Sequence, residues 1–170
     1  MIWLWKKEKI NKELIEYAEQ EAKILAAFQI ECADALERAG TTLLNILLSG
    51  AGGGLALAIS LYGKNEAQWL IVGTFSTSFY LFCLCAFLTY KCLWSRGIRP
   101  LGNQPNNIYN DYYKNIDITK FKSLNLSTRQ LTIEENRERN DQMGFWLNSV
   151  RVMASITPMI MIISYLSLGF

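Results

Sequence analysis

Hydrophobic residues in this chain are gathered into three long blocks with polar segments between them. The first block, residues 41 to 62, holds 22 residues without a charged side chain. As a helix it would extend about 33 Å, which matches a hydrocarbon core of about 30 Å. The second block covers 69 to 94, and the third covers 145 to 170. The pattern predicts three transmembrane helices. The alternative, buried helices of a soluble bundle, is disfavoured because three such blocks are rare in one small chain.

The distribution of basic residues predicts the orientation of these helices. Lys64 lies in the short turn after the first block, whereas the other 16 of the 17 Lys and Arg lie before Thr41 or between Lys91 and Arg151. Cytoplasmic segments carry the excess of basic residues, so the N-terminus is expected inside and the C-terminus outside. The sequence therefore predicts an all-α integral membrane protein with three transmembrane helices, N-in/C-out topology and a small cytoplasmic helical bundle.

The predicted organisation has four segments. They are a cytoplasmic amphipathic helix (1–40), a transmembrane hairpin (41–94, with spans 41–62 and 69–94), a cytoplasmic loop and helix (95–144), and the third transmembrane helix (145–170). Within the third segment, Pro and Gly predict an irregular loop, and we expect helix to resume near Ser127, where Ser127 or Thr132 would begin a capping box. Trp3 and Trp5 fit either the headgroup layer or a groove between copies of the chain.

The N-terminal segment contains no proline, and no glycine before Gly40. Its apolar residues recur at steps of three, four or seven, which predicts an amphipathic helix that runs into the first span, with Gly40 as its one hinge. These apolar positions are Ile10, Leu14, Tyr17, Leu25, Phe28, Cys32, Leu36 and Ala39. Seven acids and two bases lie between Glu13 and Arg38. They form either a solvated acidic surface or a surface that binds a basic partner or the chain's own basic loop.

Composition argues against most kinds of chemistry. The net charge is +2, from 17 basic and 15 acidic residues, so nucleic acid is not an expected partner. The chain has no histidine, which removes histidine-based acid–base, nucleophilic and metal chemistry. Four cysteines, three of them in or beside an apolar block, are expected as free thiols rather than as disulfides. We therefore expect no enzymatic activity, no cofactor and no metal site. The N-terminal apolar patch is too short for a secretory signal, and no cleavage is expected.

The first span carries four glycines within five residues, and they point in almost every direction around a helix. One line of small residues at steps of four would let another backbone approach closely in lipid. We expect this line to pack against a similar pair in the second span, closing the hairpin. The helix-packing residues are Gly50, Gly54 and Ala58 in the first span and Gly73 and Thr77 in the second.

A second line of small and polar residues follows the whole first span within about 100° of arc. Its members are Thr42, Asn45, Ser49, Gly52, Gly53, Ala56 and Ser60. Polar groups in hydrocarbon need partners, so this polar stripe is either a helix-packing surface or the lining of a pore. The third span carries a similar line that includes Arg151, for which we expect an ion pair with Asp34 or Glu37. Pro158 is expected to kink this span.

The layout of residues 6 to 99, a charged helix that feeds a tight two-span hairpin, resembles the SLATT-like membrane effectors of bacterial anti-phage conflict systems. The resemblance implies a homo-oligomer of the bacterial inner membrane that permeabilises the membrane when a separate sensor protein signals. Membrane lipid and further copies of the chain are the expected partners. A non-conducting structural or anchoring subunit of a larger membrane complex, and a holin or phage-exclusion protein, remain the alternatives.

Overall fold

The computed structural model describes residues 12–62, 64, 67–94, 98–99 and 116–168. The elements are α1 (Lys12–Tyr62), α2 (Gln68–Leu88), a π-helical segment (Thr89–Leu93), α3 (Ile118–Ser155) and α4 (Thr157–Leu168). The described residues contain no β-strand, so this part of the chain is all-helical. The expectations for Trp3 and Trp5, and for the loop between 100 and 115, fall outside the described residues.

Three helical stretches are long and apolar enough to cross a membrane. They lie within Lys12–Tyr62, Gln68–Leu93 and Ile118–Leu168. The prediction of three apolar blocks of spanning length is thereby confirmed. The inside-to-outside direction of each helix stays a prediction from the distribution of basic residues.

The chain folds into two compact units, and α1 and α3 each contribute to both. The polar unit contains the described residues 12–33, 98–99 and 116–140, and the apolar unit contains 34–62, 64, 67–94 and 141–168. The division falls after Ala33 in α1 and after Asn140 in α3. Both positions precede the membrane boundaries expected from the sequence, 40/41 and 144/145.

Small side chains form the interior of the polar unit. Ala22 and Ala26 of α1 are buried together with Ile133 of α3, and Leu126 packs against them. Alanines at these positions allow two helices to approach closely without ordering long side chains. The larger side chains that the sequence placed on one apolar face are distributed differently, because Leu14 and Phe28 are 61% and 56% exposed.

Ion pairs and a buried amide add to this helix contact. Glu19 of α1 lies between two cations of α3, with Lys122 Nζ at 3.3 Å and Arg129 Nη1 at 3.5 Å from its carboxylate oxygens. Asn140 donates from Nδ2 to the backbone oxygen of Gln29 at 2.9 Å. Part of the acidic surface of α1 is therefore neutralised by α3.

The start of α3 corrects a prediction. The helix begins at Ile118, nine residues before Ser127, so the segment expected to be loop-like up to Asn125 is partly helical. Ser127 Oγ donates to the backbone oxygen of Leu124, and Thr132 Oγ1 donates to that of Thr128. Both hydroxyls bond to the preceding turn of the same helix, so neither begins a capping box.

The apolar unit is built around a core shared by α1, α2, the π-helical segment and α3. Its buried members are Leu47, Leu84, Cys85, Leu88, Cys92, Met143, Leu147 and Val150. Gly40 is buried beside this core, and a Cβ at that position would lie 3.2 Å from Leu93 Cδ2. Because α1 is helical through Gly40, the expected hinge is instead a point of close packing.

Aromatic side chains lie at both ends of the apolar unit. At the end near Gly40, Lys91 Nζ lies 5.2 Å from the ring centroid of Trp146. The ring of Phe87 meets that of Trp146 edge-on at 5.5 Å. At the other end, the rings of Trp69 and Tyr165 meet edge-on at 5.1 Å. Aromatic and basic residues in these places are typical of the two headgroup layers of a membrane.

Candidate functional site

One small-residue line of α1 faces α2, as the sequence analysis expected. A Cβ at Gly50 would lie 3.2 Å from Leu81 Cδ1, and a Cβ at Gly54 would overlap Ser78 Oγ. Ala58, the third member of the line, is buried. These positions therefore form the inner surface of the hairpin, where bare backbone permits close contact.

The second-span part of that prediction is wrong for Gly73. A Cβ at Gly73 would lie 3.0 Å from Met161 Sδ and 3.1 Å from Ser164 Cβ, so Gly73 packs against α4. Gly73 and Ser78 are five residues apart, or about 140° around a helix, and they serve two different neighbours. Thr77 Oγ1 is buried and has no hydrogen-bond partner among the described residues.

The polar stripe of α1 lies on the outer surface of the apolar unit. All of its members are exposed: Thr42, Asn45, Ser49, Gly52, Gly53, Ala56 and Ser60. A Cβ at Gly52 or Gly53 would meet nothing within 4 Å among the described residues. The Thr42 hydroxyl donates to the backbone oxygen of Arg38. No hydrogen bond or ion pair satisfies the side chains of Asn45 and Ser49 within the part of the chain that the structure describes.

The ion pair expected for Arg151 is not formed. Arg151 Nη1 donates to Asn148 Oδ1 of the same helix at 3.2 Å, and no described contact joins it to Asp34 or Glu37, which are exposed. The register of the helices explains the difference. A Cβ at Gly144 would lie 3.9 Å from Leu36 Cδ2. Arg151 follows Gly144 by seven residues, about 10 Å further along α3 and beyond both carboxylates.

Arg151 also lies inside the apolar block, five residues beyond Trp146. Cys92 Sγ approaches the backbone oxygen of Met143 at 3.9 Å, close to the aromatic layer of Trp146 and Lys91. Arg151 lies eight residues beyond Met143, or about 12 Å along the helix. The cost of an arginine in a membrane helix reaches about 2.5–3.5 kcal/mol at the centre and is smaller nearer an end, where the side chain can extend toward the interface. An exposed arginine at this depth therefore requires water, a headgroup or another chain.

The helix of the third span is interrupted at Ile156, and side-chain hydroxyl groups donate hydrogen bonds to backbone oxygens at the break. Pro158 has no N–H to donate to the backbone oxygen of Ala154, and Thr157 Oγ1 donates to that oxygen at 2.6 Å. The backbone oxygen of Met153 accepts from the Tyr80 hydroxyl of α2 at 2.9 Å. The Ile156 amide reaches the same oxygen at 3.2 Å. The expected effect of Pro158 is thus seen as a break that α2 helps to hold.

Sequence reasoning missed two features. The first is the role of Tyr80 and Thr157 at this break, for which the only signal was a proline preceded by hydroxyl residues. The second is the exposure of the large apolar side chains of α1 in the polar unit. Their seven-residue spacing, examined alone, could have indicated a surface distinct from the alanine face.

No metal site emerges from the described residues. They include no group of three or more His, Cys, Asp or Glu that could hold a metal. An open groove between α1 and α2 presents only apolar surface, from Ala58, Ile59, Tyr62, Ile71, Val72 and Phe75. The polar stripe and Arg151 are therefore two candidate functional features, and no described contact joins them. Comparison with protein-family models, curated proteins and solved structures finds no match to this chain.

Proposed function

We propose that this protein is a homo-oligomer of the bacterial inner membrane that alters membrane permeability, as an effector in a bacterial or phage conflict system. The observation that carries the proposal is the exposure of Asn45 and Ser49, without a hydrogen-bond partner among the described residues, on an otherwise apolar span. Hydrocarbon cannot supply a partner for an amide or a hydroxyl. Neighbouring copies, or water between copies, would supply it.

The free energies involved favour assembly. A polar group transferred to an apolar medium without a hydrogen bond costs roughly 2–7 kcal/mol, depending on the reference state. Arg151 adds a further cost on a second helix, where Asn148 supplies one acceptor for a guanidinium that has five donors. A wetted passage between copies satisfies both helices at once.

Oligomerisation is a requirement of this function. Three helices are too few to enclose a path for water, so several copies would have to place the polar stripe toward a common axis. Gly52 and Gly53 would then leave the narrowest part of that path open, since neither carries a side chain. We expect the signal for opening to come from a separate sensor chain.

Liposome leakage tests the proposal. Purified protein reconstituted in vesicles is expected to release ions or a small dye, and Asn45→Leu, compared at an equal oligomeric fraction, is expected to leak at a different rate. Ile46→Leu is the matched control, because Ile46 is the adjacent residue, 63% exposed and apolar. Its leakage rate should equal that of the unmodified protein. Vesicles that stay tight with an assembled oligomer under every condition would contradict the function.

A non-conducting structural or anchoring subunit is the second candidate. It is favoured by the exposed apolar side chains of α1 in the polar unit, such as Leu14 and Phe28, which offer a surface to another protein. Imaging of the particle in detergent separates the two functions. A symmetric ring with a central hole supports the effector, whereas stoichiometric unrelated partners without such a ring support the subunit.

A further inference from the structure

The exposed surface of α1 follows a seven-residue repeat. In the polar unit, the four large apolar residues Leu14, Tyr17, Ile24 and Phe28 are 56 to 62% exposed. Their spacing of three, seven and four is that of alternating core positions in a coiled coil. Glu21, also exposed, occupies the intervening core position.

The same register continues in sequence along the rest of α1. Its later members are Glu31, Ala35, Arg38, Thr42, Asn45, Ser49, Gly52, Ala56 and Ile59, and every one is exposed. The buried residues of α1 all lie at other positions of the repeat: Ile15, Ala22, Ala26, Ala33, Gly40, Leu47, Ala51 and Ala58. One side of the helix therefore packs within the chain, and the repeat marks a different side, which we call the heptad face.

We infer that the heptad face binds α1 of a second copy of this chain, parallel and in register, as a coiled coil. This inference rests on the proposed homo-oligomer and names its interface. Large apolar residues would form the layers near Leu14 and Phe28.

The heptad face itself indicates a second copy as its occupant. It changes from large apolar and charged residues to small polar residues within a single helix, so a partner must change in the same way at the same place. A second α1 does so, and all copies inserted in one membrane share one orientation, which makes the pairing parallel. Glu21, Glu31 and Arg38 would then each meet their own counterparts. Charged core positions lower the stability of a coiled coil, and a single polar core position can specify its register.

Disulfide cross-linking tests this interface in the full-length chain. The four native cysteines are replaced by alanine, and single cysteines are introduced as Ile24→Cys, Phe28→Cys or Ile30→Cys. Ile30 is the matched control, because it is an exposed apolar residue of the same helix that lies off the heptad face. Oxidation in native membranes is expected to give dimers at 24 and 28 and at least about tenfold less dimer at 30, the ratio that corresponds to about 1.4 kcal/mol of preference.

A substitution series provides the second measurement. Ile24→Glu would place a charge in an apolar layer and is expected to reduce the oligomeric fraction about tenfold or more, whereas Ile30→Glu should not change it. Glu21→Leu removes a like-charge layer and should increase the oligomeric fraction. Equal cross-linking at 24 and 30, absence of cross-links at both 24 and 28, or cross-links only to a foreign chain or to residues 1–11 would overturn the inference.

The outcome for the interface is separable from the outcome for permeability. Cross-links at 24 and 28 in protein whose vesicles stay tight would support the interface and contradict the proposed conduction. Leaking vesicles formed by protein that gives no such cross-links would support conduction and overturn the interface.

Discussion

The two units of the chain expose different kinds of side chain, apolar in one and charged in the other. On α1, each unit also exposes side chains of the opposite kind. The apolar unit exposes large hydrophobic side chains such as Phe79, as a lipid-facing surface does, yet it also exposes Asn45 and Ser49. The polar unit exposes charged side chains, yet it also exposes Tyr17 and Ile24. No packing within the described part of the chain accounts for these four side chains, because all four are exposed. The comparison teaches that α1 has a second side whose chemistry the rest of the chain does not satisfy.

Ile133→Ala tests the interior of the polar unit and is expected to have the largest effect. Ile133 is 5% exposed within the alanine cluster, so its truncation should lower the free energy of unfolding by about 2–5 kcal/mol. Leu131→Ala is the control, since Leu131 is 61% exposed on the same helix. Hydrogen exchange of α3 amides measures both. Equal effects of the two substitutions would contradict the packing described here.

Two glycines of the first span separate the inner side of the hairpin from its outer side. Gly54→Leu would force side-chain atoms into Ser78 and is expected to destabilise the hairpin by about 1–3 kcal/mol. Gly52→Leu meets open space and should leave the fold of the single chain unchanged. Thermal unfolding in detergent compares them. If Gly52→Leu unfolds at the lower temperature, the assignment of inner and outer sides is wrong.

Tyr80→Phe removes the hydroxyl that donates to Met153 at the break in the third span. The loss of one hydrogen bond is expected to cost about 0.5–1.5 kcal/mol. Tyr90→Phe serves as the control, because Tyr90 is 64% exposed and its ring is placed by Trp94 and Lys91. The two unfolding temperatures should differ, with Tyr80→Phe the lower. A difference in the reverse order would show that the hydroxyl does not stabilise the break.

Glu19→Gln tests the ion pairs of the polar unit and should have the smallest effect. Partly exposed ion pairs contribute about 0.2–1 kcal/mol each, so the loss should be of that order and should shrink as salt is added. Glu13→Gln provides a comparison at another acidic position of the same helix. Unfolding measured at low and high salt checks the prediction, and a loss that grows with salt would contradict an electrostatic origin.

The spanning helices can be predicted from the sequence because a helix in hydrocarbon needs a minimum length and few charged residues. Both properties can be read directly from the sequence. The same reasoning identified the inner line of the hairpin at Gly50 and Gly54, since steps of four fix one side of a helix. Both results depend on one helix at a time.

Contacts between helices were harder to predict. The sequence predicts that Gly73 packs against α1, but it packs against α4. A small residue does not specify which helix approaches it. The predicted pairing of Arg151 with Asp34 or Glu37 is wrong because no local sequence pattern reveals the axial register of α3 against α1. Packing between Gly144 and Leu36 sets that register. Leu14 and Phe28 were grouped on one apolar face by their hydrophobicity, whereas the closely packed contact is made through alanines.

The alanine-lined contact between α1 and α3 tolerates smaller residues better than larger ones. Ala22 and Ala26 have only one side-chain carbon each, so shortening either one removes little volume and leaves almost no void. A larger side chain at either position would push the two helix backbones apart. The contacts at the adjacent turns would then be weakened as well. Residues larger than alanine are therefore not expected to be tolerated at these two sites.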